Sequence, residues 1–225
     1  MAKPSVLAEV HRKLFHSLMG LVAIVNWIGG PLLTIGFAGL CLAFFLGFDI
    51  MRIRVYGYFP LRGVTDRVMR PSERTRLGAN VFFAVGTLSI TLWLFILGNL
   101  LAAELGILCY WMLTGWLAIA AVVVAAVGDA LAAIVGITWG RHRFRGDRSV
   151  EGTIAGFVGG LLAFMPLWYL LGMPMIYGLI AAAMLVLVDI ANLPLNDNLL
   201  NPVVLGVSLA SVEILSVVIA GLGVP

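Results

Sequence analysis

The sequence alternates between long apolar runs and short polar segments. A helix needs about 20 mostly apolar residues to cross a bilayer, and several of these runs reach that length. The apolar runs cover 14–29, 31–51, 79–100, 106–140, 153–171, 174–192 and 200–222. This pattern predicts an all-α, polytopic membrane protein with about seven transmembrane helices in a single domain over residues 1–225.

The fourth run, 106–140, is too long for one straight span. We expect this segment to tilt, to extend past the bilayer, or to break near Gly128-Asp129. A break with two full crossings would raise the number of spans to eight.

The basic residues fall in only three segments of the chain, 3–13, 52–76 and 141–148. Lys and Arg accumulate in cytoplasmic loops of membrane proteins. With seven spans, all three segments lie on the same side as the N-terminus, so we predict a cytoplasmic N-terminus. Eight spans would move segment 141–148 to the other side, which favours seven.

Composition supports the same class of protein. Hydrophobic residues make up 62% of the chain and charged residues 11%, whereas a soluble domain carries about 25% charged residues. The two cysteines, Cys41 and Cys109, lie in apolar runs and lack the spacing of a zinc site. The basic loops border lipid, so we expect them to orient the protein and not to bind nucleic acid.

Asp129 is an acidic residue deep inside an apolar run. A carboxylate in a spanning helix is costly and therefore faces a partner or a water-filled cavity. Helical spacing puts Gly136 on nearly the same face as Asp129. This face would admit a ligand or, alternatively, the backbone of a neighbouring helix.

Segment 147–156 leads into the fifth run and combines glycine, hydroxyl and charged residues. Gly152 lets the backbone approach a ligand, and Ser149 or Thr153 could cap the helix start. A helix N-terminus attracts phosphate, Arg148 adds donors, and Glu151 could hold a metal. An ordinary capped helix start is the alternative.

Further polar groups precede or follow other apolar runs. Helical spacing places Glu9, Arg12 and His16 on one face, which an interfacial turn would also explain. Asp49 and Arg52 have the spacing of an ordinary ion pair. The remaining candidates in polar segments are Glu73, Arg74, Asp197 and Asn198.

Taken together, these segments resemble the membrane CTP-dependent lipid kinases, which include dolichol kinase, phytol and farnesol kinases and a CTP-using diacylglycerol kinase. The motifs that carry the resemblance are Glu9-x-x-Arg12-Lys13-x-x-His16, Asp49-x-x-Arg52, Glu73-Arg74-x-x-x-x-Gly78-Ala79, Gly128-Asp129-Ala130-x-Ala132-x-x-x-Gly136-x-x-x-Gly140, Ser149-x-Glu151-Gly152-Thr153-x-Ala155-Gly156 and Asp197-Asn198-x-x-x-Pro202. Arg148 stands where the family usually has lysine, and Asp189 stands where it usually has glutamate.

The resemblance implies transfer of the γ-phosphoryl group of CTP to the hydroxyl of a polyprenol or similar isoprenoid alcohol in the membrane, at the cytoplasmic face. It implies catalytic roles for Asp129, Glu151 and Asp197, which would also hold Mg²⁺ or another divalent cation. The implied nucleotide-binding residues are Arg148, Ser149, Gly152, Thr153, Arg74, Glu73, Arg52 and Asn198. The implied substrate-binding or structural residues are Glu9, Arg12, His16, Asp49 and Gly136.

Three alternative functions stay open at this point. A CTP-dependent diacylglycerol kinase would use the same donor with another acceptor. A phosphatidate cytidylyltransferase would release pyrophosphate, although the long S-x-x-K-R…D-R-x-D signature of those enzymes is missing from the sequence. A membrane transporter is the alternative from another class, and the sequence lacks the matched halves that transporters often have.

Overall fold

The computed structural model describes residues 10, 13, 18–55, 63, 76–145, 148–191 and 193–221. These residues are almost entirely helical, which confirms the predicted all-α class. A short 3-10 turn (Leu18–Gly20) precedes α1. The helices are α1 (Leu21–Arg54), α2 (Ala79–Trp111), a π-helical segment (Met112–Trp116), α3 (Leu117–Thr138), α4 (Val150–Leu171), α5 (Met175–Ala191) and α6 (Asp197–Gly221). A small antiparallel hairpin of β1 (Arg143–Arg145) and β2 (Arg148–Ser149) joins α3 to α4.

Helix α1 is broken at Gly30, where φ is 71° and ψ is −170°, and Pro31 follows directly. The hydroxyl of Thr34 donates a hydrogen bond to Oδ1 of Asn26 at 3.2 Å. Residues eight apart are separated by about 12 Å along a straight helix, so the chain bends sharply at Gly30. The predicted boundary between runs 14–29 and 31–51 lies at this bend.

A second reversal lies inside α2, between Gly98 and Tyr110, and separates the candidate spans Ala79–Ala102 and Cys109–Thr138. A Cβ atom built on Gly98 would lie 2.6 Å from Cγ2 of Thr114, and the hydroxyl of Tyr110 donates to Oδ1 of Asn99 at 3.5 Å. Sixteen residues of straight helix would span about 24 Å, so the chain turns back between them. Helix α3 then runs through Gly128-Asp129 without a break, which excludes the break considered there.

Five helices in the described part of the chain are long and apolar enough to cross a membrane. They are Leu21–Arg54, Ala79–Ala102, Cys109–Thr138, Val150–Leu171 and Asp197–Ala220. The number is smaller than seven because the two arms of α1 count as one helix and α5 has only 17 residues. The seven-span topology therefore stays a prediction.

The packing of α3 against α4 is made by small residues. Atoms built at Cβ of Gly152 would lie 2.7 Å from the carbonyl oxygen of Ala132 and 3.1 Å from Cα of Gly136. One turn further, a Cβ on Gly156 would lie 3.3 Å from the carbonyl oxygen of Gly128. The two backbones are therefore in direct contact, as in small-residue seams of membrane helices. This packing explains Gly136 and Gly152 without a ligand.

We expect Gly152→Ala to lower the stability of the folded protein by about 1–3 kcal/mol, because the methyl group would push α3 and α4 apart. Gly36→Ala is the matched control, since a Cβ at Gly36 in α1 meets no atom within 4 Å. Thermal unfolding in detergent measures both variants. Equal unfolding temperatures for the two variants would contradict the assigned packing.

Candidate functional site

Most described charged side chains gather at one end of the helices, which we call the charged end. It comprises the ends of α1, α3 and α5 and the starts of α2, α4 and α6. A Cβ on Gly86, near the start of α2, would lie 2.8 Å from the carbonyl oxygen of Leu199, near the start of α6. The β1–β2 hairpin lies at the same end, between α3 and α4.

One polar network at the charged end joins α1 to α2. The guanidinium of Arg52 is fully buried and donates to Oδ1 of Asp49 at 3.1 and 3.0 Å. It also donates to the carbonyl oxygen of Arg76 at 2.9 Å. The amide of Gly78 donates to Oδ2 of Asp49 at 2.5 Å. Asp49 and Arg52 thus form a buried ion pair that fixes the start of α2.

A second network is centred on Arg148 in β2. Its Nη1 donates to the backbone carbonyl of Asp189 and, at 2.5 Å, to Oδ1 of the same residue. Its Nη2 donates to Oδ2 of Asp197 at 2.8 Å. The planar fork of arginine suits this bridging of two carboxylates, and it ties the start of α4 to α5 and α6.

Thr153 and Lys13 extend the network towards α3. The hydroxyl of Thr153 donates to Oδ2 of Asp189 at 2.6 Å, so both oxygens of Asp189 have donors. The ammonium group of Lys13 forms an ion pair with Asp129 and is 4% exposed. The acidic group of α3 therefore has the partner that its position in an apolar helix requires.

These side chains surround a small cleft between α3, α4, α5 and α6. Its lining residues are Asp129, Ala132, Thr153, Gly156, Leu185, Val186, Asp189, Asp197 and Asn201. The lining combines charged and polar side chains with the apolar side chains of Leu185 and Val186. The cleft encloses about 20 Å³, which is room for about one water molecule or one hydroxyl group.

The start of α4 is capped by its own hydroxyl residue. Ser149 is the N-cap, and its Oγ accepts a hydrogen bond from the amide of Gly152 at 3.1 Å. This confirms the capping role that the sequence left open between Ser149 and Thr153. Thr153 points instead to Asp189.

Glu151 faces away from the cleft. Its carboxylate accepts from the amides of Arg141 and His142 at 3.1 and 3.2 Å, and Nδ1 of His142 lies 2.6 Å from Oε1. These contacts order the turn after α3.

Asn198 orders the turn before α6, because its backbone and side-chain amides both donate to Oδ1 of Asn196 at 3.0 Å.

The structure brings together part of the predicted site. Asp129, Thr153 and Asp197 line the cleft, and Arg148 is bonded to Asp197. Asp49 and Arg52 connect α1 to the start of α2, and Glu151 orders the turn after α3. Gly136 and Gly152 belong to the contact between α3 and α4. Glu9, Arg12, His16, Glu73 and Arg74 lie outside the described residues.

The described residues give a limited fit to a divalent cation. Among them, no three His, Cys, Asp or Glu side chains converge in a metal-binding arrangement. The predicted set of Asp129, Asp197 and Glu151 is divided, because only the first two line the cleft. Mg²⁺ is often held by one or two carboxylates together with substrate phosphates, so Asp129 and Asp197 fit that smaller set.

Three polar residues in or beside the cleft were not among the predicted site residues. Lys13 was named only within the Glu9-x-x-Arg12-Lys13-x-x-His16 motif, and Asp189 only as a departure from the family pattern. Asn201 carried no signal beyond its polarity at the start of an apolar run. A carboxylate near the end of an apolar helix needs a partner, which is the signal that could have found Asp189.

No family model, curated protein or solved structure matches this chain.

We expect Arg148→Ala to destabilise the protein by about 1–3 kcal/mol, because the carboxylates of Asp189 and Asp197 lose charged donors. Arg148→Lys should recover only part of this loss, since one ammonium group cannot reproduce the fork. Arg141→Ala, which removes an exposed cation from the same loop, is the control. Thermal unfolding in detergent distinguishes them, and an Arg148→Ala protein as stable as the control would contradict the bridge.

Proposed function

We propose that this protein is a CTP-dependent lipid kinase, which transfers the γ-phosphoryl group of CTP to the hydroxyl of an isoprenoid alcohol such as a polyprenol. One observation carries the proposal. Residues from the Gly128-Asp129-Ala130, Arg148 to Thr153 and Asp197-Asn198 segments meet at a cleft that the apolar side chains of Leu185 and Val186 also line. The reaction needs cations for the phosphates, carboxylates for the metal and the proton, and apolar side chains for the acceptor chain, all close together.

The two departures from the family pattern also support the proposal. Arg148 and Asp189 are bonded to each other. The arginine side chain is longer than lysine, and the aspartate side chain is shorter than glutamate, so the Arg148–Asp189 pair can span the same distance as a lysine–glutamate pair. The two departures from the family pattern therefore compensate for each other in one ion pair.

Phosphoryl transfer depends mainly on positioning and on neutralising charge. Arg148 and Lys13 are the cations at the cleft, and in the proposed complex they turn from the carboxylates to the phosphates of the nucleotide. Asp129 and Asp197 would then be available to Mg²⁺, which would supply charge neutralisation at the phosphate oxygens.

The acceptor hydroxyl oxygen attacks the γ-phosphorus, and the bond between that phosphorus and the β–γ bridging oxygen breaks. CDP leaves with the electron pair, and the hydroxyl proton passes to a carboxylate. Of the two candidate bases, Asp129 and Glu151, we favour Asp129 because it lines the cleft, whereas Glu151 bonds to the loop after α3. General-base assistance of this kind is worth about 10²–10⁴-fold in rate.

We expect Asp129→Asn to lower transfer from CTP to a lipid alcohol by at least about 100-fold, because it removes both the proposed base and a metal ligand. Glu213→Gln is the control. Glu213 is a buried acid in α6 that accepts a hydrogen bond from Tyr177 and does not line the cleft. The assay uses purified protein, Mg²⁺, CTP or ATP, and a panel that includes polyprenol, phytol-like alcohols and diacylglycerol.

No lipid phosphate from any of these acceptors would refute the kinase proposal. Retained activity in the Asp129→Asn variant, with the protein folded, would remove Asp129 from the catalytic role. Phosphorylation of diacylglycerol alone would identify the alternative acceptor.

We further propose seven spans, with the N-terminus and the charged end in the cytoplasm. The arms of α1 on either side of Gly30 would count as two spans, and α5 would be a short sixth span between the end of α4 and the start of α6. Basic residues at the charged end, such as Arg141 and Arg143, agree with this orientation.

This topology predicts that Arg141→Cys and Pro174→Cys are labelled from opposite sides of the membrane. Both positions are exposed, and they lie at opposite ends of α4. The measurement uses a membrane-impermeant maleimide on sealed vesicles, with Cys41 and Cys109 replaced. Labelling of both positions from the same side would contradict the proposed topology.

A further inference from the structure

Asn201 lines the cleft, and its side-chain oxygen has no hydrogen-bond donor in the described part of the structure. The residue lies in α6 and is only 6% exposed. Its Oδ1 is buried and has no hydrogen-bond partner in the described structure, and the residue lines the cleft. A buried acceptor without a donor costs about 1–3 kcal/mol, so this atom calls for a donor from outside the described fold.

The position of Asn201 relates it to the charged residues. It follows Asp197 by four residues on α6 and therefore lies on the same face, about 6 Å further along the helix. Asp129 of α3 belongs to the lining of the same cleft. The apolar residues Leu185 and Val186 belong to the same lining.

These surroundings favour a hydroxyl group on an apolar chain as the missing donor. The carboxylates at the cleft already have cationic partners, Lys13 for Asp129 and Arg148 for Asp197. The amide oxygen of Asn201 is neutral and accepts one hydrogen bond from a neutral donor. The volume of about 20 Å³ admits one hydroxyl. Leu185 and Val186 offer apolar contacts to the carbon chain next to that hydroxyl.

We infer that Asn201 Oδ1 is the acceptor that holds the hydroxyl of the lipid alcohol in the cleft. This inference rests on the proposed function for the identity of the alcohol as phosphoryl acceptor. Asn201 acts on binding, since the hydroxyl turns its proton towards Asp129 when transfer begins. Removal of the amide oxygen is therefore expected to raise KM for the alcohol more than it lowers kcat.

The direct test measures alcohol binding without nucleotide. Farnesol and its methyl ether have the same apolar chain, but only farnesol can donate a hydrogen bond. We expect farnesol to raise the unfolding temperature of the wild-type protein in detergent more than the ether does. Asn201→Leu should abolish this difference, whereas Asn201→Asp, which retains an acceptor oxygen, should keep it.

Asn80→Leu is the matched control. Asn80 also has a buried Oδ1 without a partner, but it does not line the cleft, so the difference between farnesol and its ether should persist. Asn201→Ala provides the same comparison if Asn201→Leu does not fold. In the transfer assay, Asn201→Leu and Asn201→Ala should raise KM for farnesol about tenfold and leave KM for CTP unchanged.

An equal effect of farnesol and its ether on the wild-type protein, or a difference that survives in Asn201→Leu, would overturn the inference. Stabilisation by Mg²⁺ alone that is lost in Asn201→Leu would also overturn it, because the oxygen would then be a cation ligand. If binding behaves as expected but no alcohol is phosphorylated, the proposed function fails and the alcohol site stands.

Discussion

The direct backbone contact between α3 and α4 is the interaction on which the arrangement of the cleft depends. Gly152 and Gly156 lie against the backbone oxygens of Ala132 and Gly128, and Ala132 contributes only a methyl group to this contact. This close approach brings Thr153 of α4 and Asp129 of α3 to the same cleft. It also places Arg148, in the β1–β2 hairpin, within reach of the end of α5 and the start of α6. A larger residue at Gly152 or Gly156 would push α3 and α4 apart and would separate Arg148 from the carboxylates of Asp189 and Asp197.

The charged side chains follow a second constraint, because a charge in a low-dielectric setting needs a partner. Lys13 pairs with Asp129, Arg148 bridges Asp189 and Asp197, and Arg52 is enclosed with Asp49. In the proposed reaction, the phosphates of the nucleotide and the metal would replace the ion pairs that Arg148 and Lys13 form with carboxylates. The Arg52 pair is instead bonded to backbone at the start of α2, which makes it a joint between helices.

The sequence predicted the helices well because apolar runs and breaks are local properties. The boundary at Gly30-Pro31 and the cap at Ser149 were both readable from residue type. Side-chain partners could not be read in this way, because they depend on which helix ends meet. Asp189 and Asn201 therefore emerged only from the fold, and the direction of Glu151 towards His142 was not anticipated.

The origin of the transferred phosphorus atom is a direct test of the proposed phosphoryl transfer from CTP at the charged end of the helices. Purified protein would be supplied with Mg²⁺, an isoprenoid alcohol and CTP labelled either at the α- or at the γ-phosphorus. We expect the γ label alone to appear in the lipid and CDP to be released. Appearance of the α label in the lipid, or of no label from either nucleotide, would contradict it.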